Sequence, residues 1–259
     1  MGYIRCMGGG GGSFQELNDI NTWLKLGGVS GTYSSLSDIL ADTTALNKLM
    51  TTKNSVDYLV GCDDFIIDIC ANSNGMSAIG TSNYCANSLL AHNNWISGIC
   101  NSTYFESVLN DKIPIMTSDT TPSGICSASY EGTPAYRAFD GDLTNFWYNY
   151  KSGGGTLPAW IQYDFGTNKH IYKCIFYPYF KTHLRVKEYE ILSSTDGTNF
   201  TQLVIDTLAD SQALSINGVA KNINSNASIF RLKINSHYSG TSTDAVGICE
   251  LQFYSRKDI

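Results

Sequence analysis

The stretch Ala138-Phe-Asp-Gly-Asp-Leu-Thr-Asn-Phe-Trp147 is the strongest indication of how this chain folds. Within it, Asp140 and Asp142 flank a glycine, so that two carboxylates lie on one tight turn. Hard oxygen atoms in this arrangement suit Ca²⁺, which proteins bind at about 2.3–2.6 Å. The turn therefore predicts a calcium site.

Three further motifs follow this turn along the chain: Trp160-Ile-Gln-Tyr-Asp-Phe-Gly166, Ser194-Thr-Asp-Gly197 and Ile248-Cys-Glu-Leu251. In this order and at these distances, the four motifs resemble the pattern of the discoidin domain, also called the factor V/VIII C-type domain. That family has a galactose-binding-like, jelly-roll β-sandwich fold and occurs in many carbohydrate-binding modules. The resemblance covers residues 124–254 and implies the same fold for them.

The resemblance also implies a structural calcium ion, held by the acidic turn and the late glutamate. The implied ligands are the side chains of Asp140, Asp142, Asn145 and Glu250 and the backbone carbonyl of Arg137. Asn145 departs from the family pattern, which has threonine two residues before the tryptophan. An amide oxygen can also coordinate Ca²⁺, so we keep Asn145 in the predicted set.

The alternation of residues supports strands in this half of the chain. Trp160, Gln162 and Asp164 alternate with apolar neighbours, and the same period of two predicts strands at 171–179, 186–192, 200–205, 229–235 and 246–254. Short strands without intervening helices indicate a β-sandwich. Trp147 and Trp160 are both predicted to lie in its core.

The first half of the chain has helical spacing instead. Apolar residues from Phe14 to Val60 recur at helical intervals, and Ser35 or Ser37 is a possible cap of the second helix. From about residue 64 to 111 a repeat of roughly ten residues follows, with bulky members at 65, 76, 84, 95 and 104. A unit this short needs neighbouring units or neighbouring chains to cover its apolar face. We therefore expect residues 14–112 to form a helical, oligomerising stalk.

Some of these stretches are similar to parts of bacteriophage tail- and head-fibre proteins. The similar features are a Trp-Leu-x-x-Gly segment, an Asp-Tyr-Leu segment and Ser/Asn-rich units with Met-Ser-Ala-Ile. Many such fibres are trimers, so the resemblance implies a homotrimer.

Two segments are predicted to lack regular structure. Residues 1–13 include an uninterrupted glycine run, which predicts a flexible arm. The bulky residues ahead of it, at positions 3–7, suggest a peptide that docks on another virion protein, and a frayed terminus is the alternative. Residues 113–123 are polar and proline-punctuated, so we predict a linker before a β-sandwich at 124–259.

The overall composition excludes several classes of partner. The formal net charge is −6 and the pI is about 5.1, which gives no electrostatic basis for binding nucleic acid or anionic lipid. No apolar run approaches the roughly 20 residues of a membrane span, and no secretory signal is evident. We therefore expect synthesis in a host bacterial cytoplasm without membrane insertion. The eight cysteines fit small buried residues better than zinc ligands. Cys126 and Cys249 occupy places where some discoidin domains carry a bridge.

A sugar site requires an aromatic surface and a few fixed hydrogen-bonding groups. The candidates in the predicted loops are Tyr148, Asn149, Tyr150, Tyr179, His183, Arg185 and Tyr238. Galactose-binding members of the resembled family often have a histidine where this chain has Tyr148 and an arginine where it has Tyr179. His183 and Arg185 are possible replacements for those donors. Ordinary solvated loop aromatics are the alternative interpretation.

Enzymatic activity is not expected. Glycosidases require two carboxylates that face each other across about 5–9.5 Å. Glu188 and Glu190 share a strand face and Asp140 and Asp142 share a turn, and solvated charge explains both pairs. The sequence contains no Gly-x-Ser-x-Gly, no phosphate-binding glycine loop and no His-Glu-x-x-His motif.

Three functions remain. In the first, the chain is a bacteriophage fibre or appendage protein that is released by lysis and binds host-surface carbohydrate through its discoidin-like domain. In the second, it is a structural, assembly or decoration protein of the virion that binds no glycan. An accessory domain separated from an enzyme is a third, weaker possibility.

Overall fold

The computed structural model describes residues 14–150, 156–180, 184–238 and 245–256. The chain divides into two compact units: one reaches to Asn110 and takes in Arg256, and the other covers Asp111–Ser255. We call them the helical unit and the β unit. The predicted fold class, with helices first and strands after them, is confirmed. The predicted docking arm at residues 1–13 lies outside the described residues.

The helical unit contains eight described α-helices: α1 (Phe14–Leu26), α2 (Leu36–Ala41), α3 (Thr43–Thr51), α4 (Lys53–Leu59), α5 (Phe65–Ala71), α6 (Ser73–Thr81), α7 (Asn83–Leu90) and α8 (Asn93–Asn101). A single turn of 3-10 helix follows at Phe105–Ser107. Of the two serines proposed as caps of α2, Ser35 has this role, because its hydroxyl accepts from the Asp38 amide at 3.2 Å.

The ten-residue period is a repeat of one short helix and its cap. N-cap residues lie ten positions apart at Asp42 and Thr52 and again at Asn72, Ser82 and His92. In α3, α5 and α8 the residues at steps i, i+1, i+4 and i+5 are buried, for example Trp95, Ile96, Ile99 and Cys100. That spacing places one apolar stripe along each helix. The repeat is thus longer than predicted, since it already begins before residue 64.

Each of the helices α1 to α5 contacts the helix three places further along the chain, as in the pairs α3 with α6, α4 with α7 and α5 with α8. Hydrogen bonds also join segments that are far apart in the sequence: Asn94 Nδ2 of α8 donates to Asp63 at 2.8 Å, and Asn74 Nδ2 of α6 donates to the Leu40 carbonyl of α2 at 3.0 Å. The helices therefore coil with about three of them per turn, as in a solenoid. Neighbouring helices of the same chain cover the apolar stripes, so this burial does not require a partner chain.

Two bulky members of the predicted repeat are not core residues. Tyr84 and Tyr104 are 42% and 41% exposed, respectively. Tyr84 immediately precedes the stripe of α7, which begins at Cys85. At Tyr84, residue size alone therefore predicted the wrong side of the helix, whereas Tyr104 lies in a turn.

The β unit contains eight described strands: β1 (Asp111–Lys112), β2 (Ile125–Ala128), β3 (Trp147–Tyr150), β4 (Ala159–Pro178), β5 (Glu188–Ser194), β6 (Thr201–Thr207), β7 (Val219–Ile234) and β8 (Ala245–Ser255). All described pairings are antiparallel. The predicted strands all have counterparts here, but the first two are parts of the single strand β4. Sequence analysis did not find β1, β2, β3 or the first half of β7, and residues 111–112 had been assigned to the helical stalk.

The long strands β4 and β7 belong to both layers of the sandwich. The first half of β4 pairs with β2, and the second half of β7 pairs with β5. The second half of β4 pairs with β8, and β4 and β7 pair with each other along both halves. A register shift between Asp164 and Lys169 and a positive φ of 40° at Asn224 lie where the strands pass from one layer to the next. Bulges of this kind bend strands and let one strand serve two sheets.

The core of the β unit lies between these layers. It includes Trp147, Tyr163, Phe176, Phe230 and Phe253, each at most 1% exposed. The prediction for Trp147 is thereby confirmed. The prediction for Trp160 is wrong, because this residue alternates with buried Ile161 and lies half-buried on the outward face of β4.

The predicted linker at 113–123 is part of the β unit. The unit begins at Asp111, and β1 pairs with β8. Ile113 and Met116 are each 1% exposed and pack in its core. The polar and proline residues of the segment had suggested an open connection, but its two apolar side chains anchor it.

The seven described cysteines are buried, as the composition suggested, and they form no disulfide with one another. They include Cys126 and Cys249. Among the described residues, no helix is both long enough and apolar enough to cross a bilayer.

Candidate functional site

The acidic turn of the β unit is fixed by its own side chains. Asp140 Oδ1 accepts from the Asp142 amide at 2.9 Å, and Asp142 Oδ1 accepts from the amide and hydroxyl of Thr144 at 2.8 and 2.7 Å. Gly141 between them has φ 74°, a left-handed conformation that glycine adopts without strain. The local sequence therefore determines the shape of this turn.

Long-range pairing brings Glu250 to the same turn. The Gly141 amide donates to Glu250 Oε2 at 3.0 Å, and Gln252 Nε2 donates to the other oxygen. Glu250 is 3% exposed, and burial raises the pKa of its carboxyl to about 7, with the charge of Asp140 adding to the effect. The structure thus places the predicted partner from β8 beside the turn.

The donor set fits a hard divalent cation in its chemistry. The described residues form no ion pair with Glu250, and the charge of Lys112 opposes the effects of burial and of Asp140 on its pKa only in part. A bound cation would therefore stabilise the carboxylate further. Asn145 Nδ2 lies 3.0 Å from Asp140 and 3.3 Å from Asp142, and rotation of this amide would present its oxygen instead.

The predicted ligand set does not form a closed shell. Within the described ranges, no three His, Cys, Asp or Glu side chains are grouped as a metal site. Asp142 Oδ1 faces Thr144, and Arg137 lies in a single 3-10 turn, Ala135–Ala138, which contacts β8. A cation would therefore have to draw Asp142 and Asn145 toward Glu250.

An aromatic cluster lies next to the acidic turn. We define it as Phe146, Tyr148, Tyr150 and Tyr179. The rings of Phe146 and Tyr179 are stacked, with centroids 3.9 Å apart and planes 11° from parallel. Tyr148 lies 5.8 Å from Phe146 and 6.3 Å from Tyr150. Three of these residues were predicted as ligand-binding, and the structure brings them together.

Phe146 was missed by the sequence analysis, although it lies inside the quoted turn motif. The available signal was its offset of two from Tyr148, which places both rings on one side of the chain as it enters β3. Gly132 completes the cluster, because a Cβ there would lie 2.4 Å from the Tyr148 ring.

Asn149 does not present its side chain to solvent, contrary to prediction. It is fully buried, and its Nδ2 donates to the Thr156 carbonyl at 2.8 Å. On β3 alternate residues point inward, so Asn149 follows Trp147 into the core while Tyr148 and Tyr150 point outward.

The remaining candidates for ligand binding form other contacts or lie outside the described residues. Arg185 Nη1 donates to both carboxylate oxygens of Asp210 at 2.7 Å. The hydroxyl of Tyr238 donates to the Leu208 carbonyl at 2.5 Å, and its amide donates to the Arg185 carbonyl. Tyr179 and Arg185 line one small cleft. His183 lies outside the described residues.

The β unit is thus an antiparallel sandwich with an acidic turn and an aromatic cluster at one end, which is the architecture of a binding module. Residues 118–251, just over half of the chain, match the model of the F5/8 type C domain. The chain therefore belongs to the F5/8 type C domain family. The prediction that the resemblance made is confirmed.

Solved structures with a similar fold include the family 32 CBM from C. perfringens NanJ in complex with galactose. It is 18% identical, the match covers 56% of this chain and 100% of that one, and the TM-score is 0.44. A second is CBM32-5 of a Clostridium perfringens protein in complex with GalNAc-β-1,3-galactose, at 21% identity, 51% and 95% coverage, and a TM-score of 0.43. No curated protein sequence matches the chain.

Proposed function

We propose that the β unit binds carbohydrate through the aromatic cluster. The observation that carries this proposal is the half-buried, stacked ring pair of Phe146 and Tyr179, with Tyr150 exposed near it, beside the acidic turn of an F5/8 type C domain. Phe146 and Tyr179 hold each other in place, so Tyr148 and Tyr150 border a preformed apolar surface. Such a surface suits the apolar side of a sugar ring, and tyrosine hydroxyls suit its hydroxyl groups.

The proposed recognition differs from that of galactose-binding family members with a histidine and an arginine at the site. Tyr148 and Tyr179 replace those residues, and Arg185 is paired with Asp210. Recognition here would depend on stacking more than on cationic donors. Arg185 and Tyr238 would support the cleft beside Tyr179 rather than contact the sugar directly.

We further propose that the acidic turn holds a structural Ca²⁺. Asp140, Asp142, Asn145 and Glu250 would bind it together with the carbonyl of Arg137. The buried carboxylate of Glu250 supports this proposal, because a cation would stabilise its charged form. Phe146 directly follows Asn145, so an ordered turn would also fix the position of the aromatic cluster.

For the whole chain, we propose a bacteriophage virion fibre or appendage protein that attaches to host-surface glycans and has no enzymatic activity. The resemblance of the helical unit to fibre proteins supports this role. A homotrimer would display several weak sites at once, and linked sites can gain about 10²–10⁴ in avidity. In this proposal residues 1–13 dock on another virion protein, and the chain is made in the bacterial cytoplasm and released by lysis.

A glycan array with the purified full chain tests the carbohydrate proposal. We expect binding above background to at least one glycan class, and a loss of about tenfold or more for Tyr179→Ala, as expected when one stacking partner is removed. Tyr104→Ala, an exposed tyrosine of the helical unit, is the matched control. Absence of binding to every glycan, with folding confirmed by circular dichroism, would contradict the proposal.

The second candidate is a structural or assembly protein of the virion. The replacements at Tyr148 and Tyr179 and the pairing of Arg185 favour it. Host adsorption by particles with Tyr148→Ala and Tyr179→Ala distinguishes the two roles: unchanged adsorption supports the structural role, and impaired adsorption supports the adhesin.

A further inference from the structure

An arginine on the outward face of the β unit is clamped between two aromatic rings. Arg231 lies on β7, between β4 and β5. The central carbon of its guanidinium group is 4.1 Å from the centroid of Trp160 and 3.7 Å from that of Phe200. Cation–π contacts on both sides fix the plane of the group. The guanidinium is therefore already oriented before any ligand binds.

One edge of this guanidinium group donates hydrogen bonds to a side chain of the neighbouring strand β4. Nε and Nη2 donate to Gln162 Oε1 at 2.8 and 2.6 Å, whereas Nη1 has no partner among the described residues. Arg231 also forms no ion pair with a carboxylate of the described residues. The acids on the same face are engaged elsewhere, because Glu190 pairs with Lys233 at 2.8 Å and Asp164 accepts from a backbone amide.

Burial without a counter-ion is costly for this cation. Arg231 is half-buried, and desolvation lowers the pKa of its guanidinium, although the group stays charged. A carboxylate from outside would offset that cost and match the planar Nη1 edge. The charge and geometry of the site therefore suit a planar anionic group.

We propose that this face binds a saccharide that carries a carboxylate. We call it the arginine face and define it as Trp160, Gln162, Phe200, Arg231 and Lys233. The carboxylate would bind to Nη1, the rings would pack against the sugar, and the amide and ammonium groups would bond to hydroxyls. An added peptide strand does not fit, because β7 is already paired on both sides and offers no free backbone ladder.

This site is separate from the aromatic cluster. The arginine face is formed by β4, β7 and the residue just before β6, whereas the cluster is formed by β3, the residue just before it and the residue after β4. The proposal therefore does not rest on glycan binding at the cluster. If neutral glycans fail to bind, the proposal for the arginine face is unaffected.

Calorimetric titration of the full chain with trigalacturonic acid tests the proposal, with the methyl ester of the same trisaccharide as the neutral control. We expect the acid to bind about tenfold or more tightly than the ester, as for a charge-assisted hydrogen-bonded pair. We also expect this difference to shrink as salt is raised.

Two variants separate binding from a merely structural role of the stack. Gln162→Glu supplies an internal carboxylate to Arg231. Arg231→Lys keeps the positive charge but lacks the planar set of N–H donors of a guanidinium group. Both should keep a cooperative melting transition and bind the acid about tenfold more weakly or worse. Gln212→Glu, which adds the same charge at an exposed site outside the arginine face, should bind like the unmodified chain.

Three results would overturn the proposal. The first is that the unmodified chain fails to bind trigalacturonic acid. The second is that folded Gln162→Glu binds it undiminished. The third is that a short polyglutamate peptide binds as tightly as the saccharide, which would assign the face to acidic peptides.

Discussion

The helical unit and the β unit bury their apolar residues over different sequence distances. In the helical unit the bonds between coil turns join residues about thirty apart, such as Asn94 and Asp63, which are 31 positions apart. In the β unit, Gly141 and Glu250 are 109 positions apart. Contacts that repeat at one regular sequence interval produce a uniform surface. Pairings between residues far apart in the sequence bring unlike side chains together. The acidic turn, the aromatic cluster and the arginine face all lie in the β unit for this reason.

The largest expected effect tests the core of the β unit. Phe230 is fully buried, with its ring 5.3 Å from Phe253 and 6.2 Å from Phe165. We expect Phe230→Ala to lower the free energy of unfolding by about 3–5 kcal/mol, because it removes buried apolar area and leaves a cavity. Urea denaturation measures this change. Ile205→Ala, at a residue that is 63% exposed, should change it by less than about 0.5 kcal/mol.

Calcium should stabilise the β unit by a somewhat smaller amount. At a free concentration of about 100 times the Kd, a bound ion contributes about 2.7 kcal/mol. We expect added Ca²⁺ to raise the Tm by a few degrees, on the order of 5 °C. Asp140→Ala should abolish that dependence, and Asp68→Ala in the helical unit should leave it intact. A Tm that is unaffected by both Ca²⁺ and EDTA would rule out a stabilising ion.

In the helical unit, substitution of one glycine tests the close packing between turns of the coil. A Cβ at Gly80 would lie 1.9 Å from the Ser107 carbonyl oxygen, so backbone must shift. We expect Gly80→Ala to lower the free energy of unfolding by about 1–3 kcal/mol. The matched change is Gly61→Ala, whose Cβ would meet only the Tyr58 carbonyl at 3.6 Å. Equal effects of the two substitutions in thermal melts would contradict the described packing.

The smallest effect tests the capping of the repeat. Asn72 Oδ1 accepts from the amides of Asn74 and Gly75 at 2.9 and 3.1 Å, whereas Thr52 makes no side-chain capping bond. We expect Asn72→Ala to cost about 1 kcal/mol of unfolding free energy. Thr52→Ala should cost less, as measured by urea denaturation. The reverse order would show that the period of ten is not maintained by caps.

Much of the fold could be predicted because its signals are local. Alternation along the strands and helical spacing in the first half both depend on which way neighbouring side chains point. The acidic turn was predictable for the same reason, since Asp140, Gly141 and Asp142 form it by themselves. The family resemblance then supplied Glu250, which no local pattern could have connected to the turn.

The errors arose where packing across the chain decided the outcome. Trp160 was predicted to be in the core because it is large and apolar, but the register of β4 turns it outward onto Arg231. Asn149 was predicted to be a ligand residue because it is polar, but the same alternation buries it beside Trp147. The polar and proline residues of the segment at 113–123 predict an open linker, but Ile113 and Met116 pack in the core.

The sequence by itself determined the two units, the ten-residue period and the acidic turn, because each depends on residues that are close together in the chain. Only the tertiary structure decided which aromatic rings meet, which cation lacks a counter-ion and which polar side chain is buried. Those properties depend on the register between strands that are far apart in the sequence, as for Gln162 and Arg231, which are 69 positions apart. Shifting a strand by one residue exchanges its two faces, and no local pattern fixes that choice for every strand.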